Sequence, residues 1–176
     1  MGDGTVAGVR IVADGEFGEC VAGHLRALLA SGAAPASGRI RVRASWRDVP
    51  AEFAAFGAAT GSAPWLPIAL GHPYIRVGPL FVTGRAPCPA CYATRVRQHG
   101  NPVDEEVGRR LADDPRLGVR GFLPHQSMIA AGLAVDLMRD EEAGRVAVVD
   151  CRTDEVASWH LVPAEACPGC GPGARR

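Results

Sequence analysis

No stretch of this chain is apolar for long enough to cross a bilayer. Nothing before residue 30 has the basic start and apolar centre of a secretory signal. With membrane and secreted classes set aside, a reduced, cytoplasmic compartment is expected. Net charge is also missing, because 19 basic residues offset 19 acidic ones. That removes the electrostatic case for a nucleic acid or an anionic membrane as partner. Lysine is absent and every basic residue is arginine. Together with abundant Ala, Gly and Pro, this bias marks a GC-rich genome more than a function. There is no catalytic signature around the five histidines, His24, His72, His99, His125 and His160. His72 and His125, each near a Pro, could act only if folding joined them. At 176 residues the chain is long enough for one domain with a real core, 1–176, and its last residues, 171–176, are expected to be a disordered tail.

What the chain does have is two Cys-x-x-Cys pairs, Cys88-Pro89-Ala90-Cys91 and Cys167-Pro168-Gly169-Cys170. Each offers two sulfurs to one ion, and together they complete a tetrahedral four-sulfur site typical of zinc. The long separation predicts a clasp between distant parts of one fold, since a zinc finger keeps its pairs closer. Pro and Gly inside each pair suit a tight turn. The competing reading is two surface turns with free thiols, or disulfides in an oxidising compartment. Cys20 and Cys151 lie in apolar contexts and are expected to be small buried hydrophobes.

Alternating and helical periodicities organise the rest. Strands are expected at Val9–Ala13, Arg39–Ser45, Trp65–Leu70, Tyr74–Val82, Arg145–Asp150 and Ser158–Val162, with a hairpin turn at Arg152–Glu155. Helices are expected at Glu19–Ser31, Asp48–Ala59 and Pro124–Arg139, the last with a core stripe of Met128, Ile129, Leu133, Leu137 and Met138 and with Ala130, Ala131 and Gly132 allowing close packing. The stretch 98–120 reads as an excursion with a short helix near Val107–Leu111, and 33–38 as a flexible link. Strand, Asp14–Gly18 turn and helix are the opening of a Rossmann-like unit. The expected class is therefore α/β.

The segment Pro64–Arg95 resembles the ThiF-like (ubiquitin-activating-enzyme-like) bacteriocin cyclodehydratases of azole-containing peptide biosynthesis. Pro64-Trp65-Leu66-Pro67 is followed by Gly78-Pro79-Leu80-Phe81-Val82-Thr83-Gly84, then by Cys88-Pro89-Ala90-Cys91 and Arg95. Cys167-Pro168-Gly169-Cys170-Gly171 has the form of that family's terminal knuckle. The resemblance implies a ThiF-type Rossmann-like sheet with a structural zinc held by Cys88, Cys91, Cys167 and Cys170.

Departures from the family pattern shape the expected role. The chain starts almost at its first strand, so the leader-peptide-binding N-terminal region of the family is expected to be missing. Asp14-Gly15-Glu16-Phe17-Gly18-Glu19-Cys20 keeps only part of a Gly-x-Gly-x-x-Gly pattern. Glu16 and Glu19 oppose a phosphate at a helix N-terminus, and they also oppose thiolate formation at Cys20. Neither an acidic ribose ligand nor a basic pair for a triphosphate is evident. The resemblance with these losses implies a non-catalytic, zinc-stabilised partner subunit in ribosomal peptide modification. It would support a YcaO-type cyclodehydratase or an azoline dehydrogenase, or hold the precursor peptide. An ATP-dependent enzyme with a reduced nucleotide site and a zinc interaction module outside peptide maturation are the alternatives. A homodimer is also expected to be possible, through a surface joining Pro124–Arg139 to Phe53 and Phe56.

Overall fold

The computed structural model describes residues 2–33, 39–99 and 121–171, with 106, 109, 110, 113 and 114 between the last two. Seven strands form one mixed sheet whose spatial order is the chain order. They are β1 (Gly2–Val6), β2 (Val9–Asp14), β3 (Arg41–Ser45), β4 (Trp65–Gly71), β5 (Tyr74–Val77), β6 (Arg145–Asp150) and β7 (Val156–His160). β2, β3 and β4 run parallel, and every other neighbouring pair is antiparallel. Among the described residues there are four helices of several turns: α1 (Gly15–Ala30), α2 (Pro50–Ala59), α3 (Pro89–His99) and α4 (Pro124–Asp140).

The pleat explains how one sheet carries two cores. On β4, Leu66, Ile68 and Leu70 join the larger core, with Val42, Ala44, Ile75, Val77, Ala147 and Val149 of the neighbouring strands. α1 adds Phe17, Val21 and Leu25, and α4 adds Ala130, Ala134, Leu137 and Met138. The intervening β4 residues Trp65 and Ala69 point the other way, into a small cluster with Phe53, Phe81, Phe56 and Tyr92. α1 and α4 thus cover one face of the sheet, and α2 and α3 the other.

Several expectations change. The parallel β2–α1–β3 unit is present, but among the described residues the strand order does not reverse, and so shows no switch point of the kind at which a doubly wound Rossmann fold opens a crevice. The helix expected from Glu19 starts at Gly15, so Asp14–Gly18 is a helix entry rather than a loop. Asp14 is still extended, and Gly15 turns the chain in one residue at φ +69°. At Gly18 a Cβ would lie 2.5 Å from the Ala44 carbonyl oxygen, so glycine lets α1 sit directly on the sheet.

β1 was not anticipated, because Gly-Asp-Gly has little strand propensity. The two-residue Ala7-Gly8 turn, both at positive φ, folds it onto β2. β5 ends at Val77, where Gly78 (φ +91°) and Pro79 redirect the chain, and Phe81 returns to Trp65 through an isolated bridge. β7 begins two residues earlier than expected, since Asp154 at φ +60° closes the hairpin. On α4 the small Ala130, Ala131 and Ala134 form the contact face, and Met128 is 54% exposed. Cys20 and Cys151 are half-buried, not fully so. Phe53 and Phe56 lie across the sheet from α4, so the joint surface expected from these elements does not form. The link 34–38, the tail 172–176 and most of the helix expected at Val107–Leu111 lie outside the described residues.

Candidate functional site

Cys88 precedes α3 and Cys91 sits in its first turn, fully buried. After β7 the chain crosses Pro163 and returns with Cys167, which is 3% exposed, and Cys170. All four sulfurs lie within 4.8 Å of one another and could hold a metal ion. The Cys88–Cys91, Cys88–Cys167 and Cys91–Cys170 Sγ separations are 3.9, 3.5 and 3.3 Å. A tetrahedron with metal–sulfur bonds of about 2.3 Å has edges of about 3.8 Å, so the cluster has the right size. Four sulfurs leave no place for water, which suits a structural rather than a catalytic ion.

Backbone N–H groups stabilise the sulfurs. Ala164 donates to Cys91 Sγ at 3.4 Å, and Gly169 to Cys167 Sγ at 3.4 Å. Among the thiols themselves, burial works against ionisation of Cys167. The Gly169 and Cys170 amides and the Cys91 and Cys88 thiols outweigh it, bringing Cys167 down to about 7. Burial and the neighbouring thiols push Cys170 up to about 12. Burial likewise raises Cys88. Space is as tight as the bonding. A Cβ at Gly169 would lie 2.8 Å from Cys88 Sγ, and one at Gly171 2.6 Å from the Cys167 carbonyl oxygen. These contacts explain the glycines of the Cys-Pro-Gly-Cys-Gly sequence.

The clasp is fastened around the cluster. Arg95, one turn beyond Cys91, donates to the carbonyls of Val162 (3.1 Å) and Pro163 (2.8 Å). Gly144 donates to Leu80 O and accepts from Leu161, and a Cβ there would lie 2.6 Å from Pro87. Behind the clasp, Arg76 forms a bidentate pair with Asp48, donates to Gly78 O, and lies over the Phe53 and Tyr92 rings. Burial opposes the charge on Arg76, but Asp48 holds its pKa above the ordinary arginine value. Burial also raises Tyr92 despite the adjacent guanidinium. Sequence reasoning missed the Arg76–Asp48–Tyr92 group. Its only trace is a lone arginine inside an apolar strand, Tyr-Ile-Arg-Val.

The remaining candidates do not assemble. His125 pairs with Asp154 at 2.8 Å, His160 with Glu142 at 2.9 Å, and His72 packs over Gly121. His24 is half-buried on α1 and His99 is exposed on α3. At the α1 N-terminus Gly15 and Glu16 are exposed, with Trp46 packed beside Gly15. A Cβ at Gly15 would lie 2.3 Å from the Trp46 ring, and Phe17 stacks edge-on to Phe122 at 5.2 Å. Among the described residues, no helix is long and apolar enough to cross a membrane.

The fold and site thus define an α/β domain closed by a four-cysteine cluster. Solved structures with this fold include the heterocyclase TruD, at 21% identity and TM-score 0.63, covering 93% of this chain and 27% of that one. The E. coli microcin synthetase McbBCD complex contains a chain at 8% identity and TM-score 0.64, with 89% and 66% covered. E. coli MccB follows at 13% identity and TM-score 0.51, with 78% and 41% covered. At these identities the likeness is one of fold. The chain spans about a quarter of the heterocyclase it matches. No family model matches the sequence, and no curated protein matches it.

Proposed function

We propose that this chain is a non-catalytic, zinc-stabilised scaffold or partner subunit in azole-type ribosomal peptide modification. Cys88, Cys91, Cys167 and Cys170 are its zinc ligands, and it supports a separate YcaO-type cyclodehydratase or azoline dehydrogenase in the cytoplasm. The setting is supported by the fold shared with TruD and McbBCD and by the Pro64–Arg95 sequence resemblance. The observation that carries the non-catalytic part is Trp46 against Gly15. Trp46 packs beside Gly15 at the start of α1, and Glu16 puts negative charge in the first turn, which disfavours a phosphate there.

Two measurements test the proposal. Calorimetry with ATP and magnesium should give no binding heat. Co-expression with a YcaO-type cyclodehydratase and its precursor peptide should give a stable complex and faster heterocycle formation than the enzyme alone. Micromolar ATP binding that Gly15→Val abolishes would replace the scaffold by an ATP-dependent peptide-activating enzyme. Absence of both ATP binding and any complex would leave a zinc interaction module outside peptide maturation.

A further inference from the structure

Past Leu161, whose N–H still bonds the Gly144 carbonyl, the chain leaves the sheet as an irregular segment, 161–166, that leads to Cys167. Val162 is 64% exposed and Pro163 is exposed too, so apolar burial does little to hold this segment in place. Yet it carries half of the four-sulfur cluster. α3 holds it by directed bonds instead. Arg95 lies four residues after Cys91, on the same side of the helix. Its Nε donates to Val162 O at 3.1 Å and its Nη2 to Pro163 O at 2.8 Å. Its Nη1 donates to Gln98 Oε1 at 2.8 Å, which steadies the guanidinium from its own helix.

The Pro163 carbonyl and the Ala164 N–H belong to one peptide unit, which is planar and sets the two groups on opposite sides. Arg95 grips the oxygen of that unit, and its N–H donates to the Sγ of the fully buried Cys91 at 3.4 Å. A guanidinium, a peptide and a sulfur thus form one chain of hydrogen bonds, in which fixing the oxygen fixes the direction of the N–H. We infer that Arg95 is a positioning residue for the metal: through the Pro163–Ala164 peptide it aims a donor at the Cys91 sulfur and brings the second cysteine pair to the first. An N–H aimed at a thiolate orients it and steadies its charge, and such outer partners govern how tightly a site holds its ion. The inference rests on the zinc assignment proposed above and adds a residue that is not itself a ligand.

Competition against a chromophoric chelator reads zinc affinity, and cobalt(II) in the same site reads the sulfurs through their charge-transfer absorption. Arg95→Ala should weaken zinc binding about 10–100-fold. Arg95→Lys, whose ammonium cannot grip two carbonyls as a fork, should fall between it and the wild type. Loss of the aimed donor should move the cobalt charge-transfer band to longer wavelength, because the Cys91 sulfur then holds its electrons less tightly. Ala164→Pro, which deletes the N–H and leaves Arg95 in place, should move the band the same way, and the double variant no further. Leu25→Ala, which weakens the fold on the other face, should leave the band unmoved and so separates positioning from general loss of stability. Should Arg95→Ala not fold, Arg95→Lys carries the same two readouts. Arg95 variants with wild-type affinity and an unmoved band, or an equal shift in Leu25→Ala, overturn the inference. A wild-type chain that takes up neither metal overturns instead the zinc assignment beneath it.

Discussion

The two faces of the sheet are held by different physics. The α1–α4 face is a conventional apolar core, with Val21, Leu25, Ala130, Ala134 and Met138 essentially inaccessible. Its stability is spread over many side chains, each contributing by area removed from water. The aromatic cluster on the α2–α3 face has only four buried apolar residues, Phe53, Trp65, Ala69 and Phe81. It makes up the deficit with directed interactions: Arg76 to Asp48, Arg43 and Arg47 to Glu52, Arg95 to two carbonyls, and four sulfurs. Such a face depends on a few groups, and loss of one removes a large share of what holds it.

That contrast can be broken most severely at the cysteines. On the zinc assignment proposed above, Cys91→Ser should reduce zinc from one per chain to none and cost more than about 4 kcal/mol, because metal binding would also be folding energy. Hydrogen exchange should then show α3 and the segment after β7 open while α1 and α4 stay protected. Uniform loss of protection would mean that the faces are not separable. Lowering the pH should release the metal in the same way, since protons compete for the sulfurs.

Arg76→Ala comes next. It leaves Asp48 partly buried without its partner and should cost about 3–5 kcal/mol by chemical denaturation. Leu25→Ala, on the opposite face, should cost about 2–5 kcal/mol with zinc content unchanged, which sharpens the distinction between the two. Gly18→Ala drives a Cβ into the Ala44 carbonyl and should cost about 1–3 kcal/mol, read as a lower melting temperature. The smallest effect is expected at the half-buried Asp150, whose carboxyl is held at about 2 by hydrogen bonds from the Arg152 side chain and backbone. Its depressed pKa stabilises the fold above the ordinary carboxylate range, and that contribution is lost as the pH falls through about 2. Carboxyl NMR titration should find this value, and Arg152→Ala should raise it.

The cysteine cluster was legible because the ligand type and the spacing inside each pair are properties of the chain. Six of the seven strands announced themselves by apolar runs or alternation, whereas β1 did not, because its pairing depends on a turn and on β2 rather than on its own propensity. The stripe on α4 was misplaced at Met128 for a related reason. Helical periodicity marks apolar positions without saying which one lies beyond the edge of the contact; Ala130 and Ala131, read as allowing close packing, are fully buried. Arg76 could not be anticipated as a keystone, since its partners lie 28 residues before it at Asp48 and 16 after it at Tyr92.

By itself the sequence determined an α/β chain with two sulfur knuckles and an incomplete glycine pattern. These depend on residue type and local period, which need no distant partner. Only the tertiary structure decided that the four sulfurs meet, that Trp46 lies against Gly15, that the two helical layers fall on opposite faces, and that β7 is the last strand of the sheet among the described residues. Each of these is a long-range juxtaposition, set by which strands pair and by the side of the sheet to which each side chain turns.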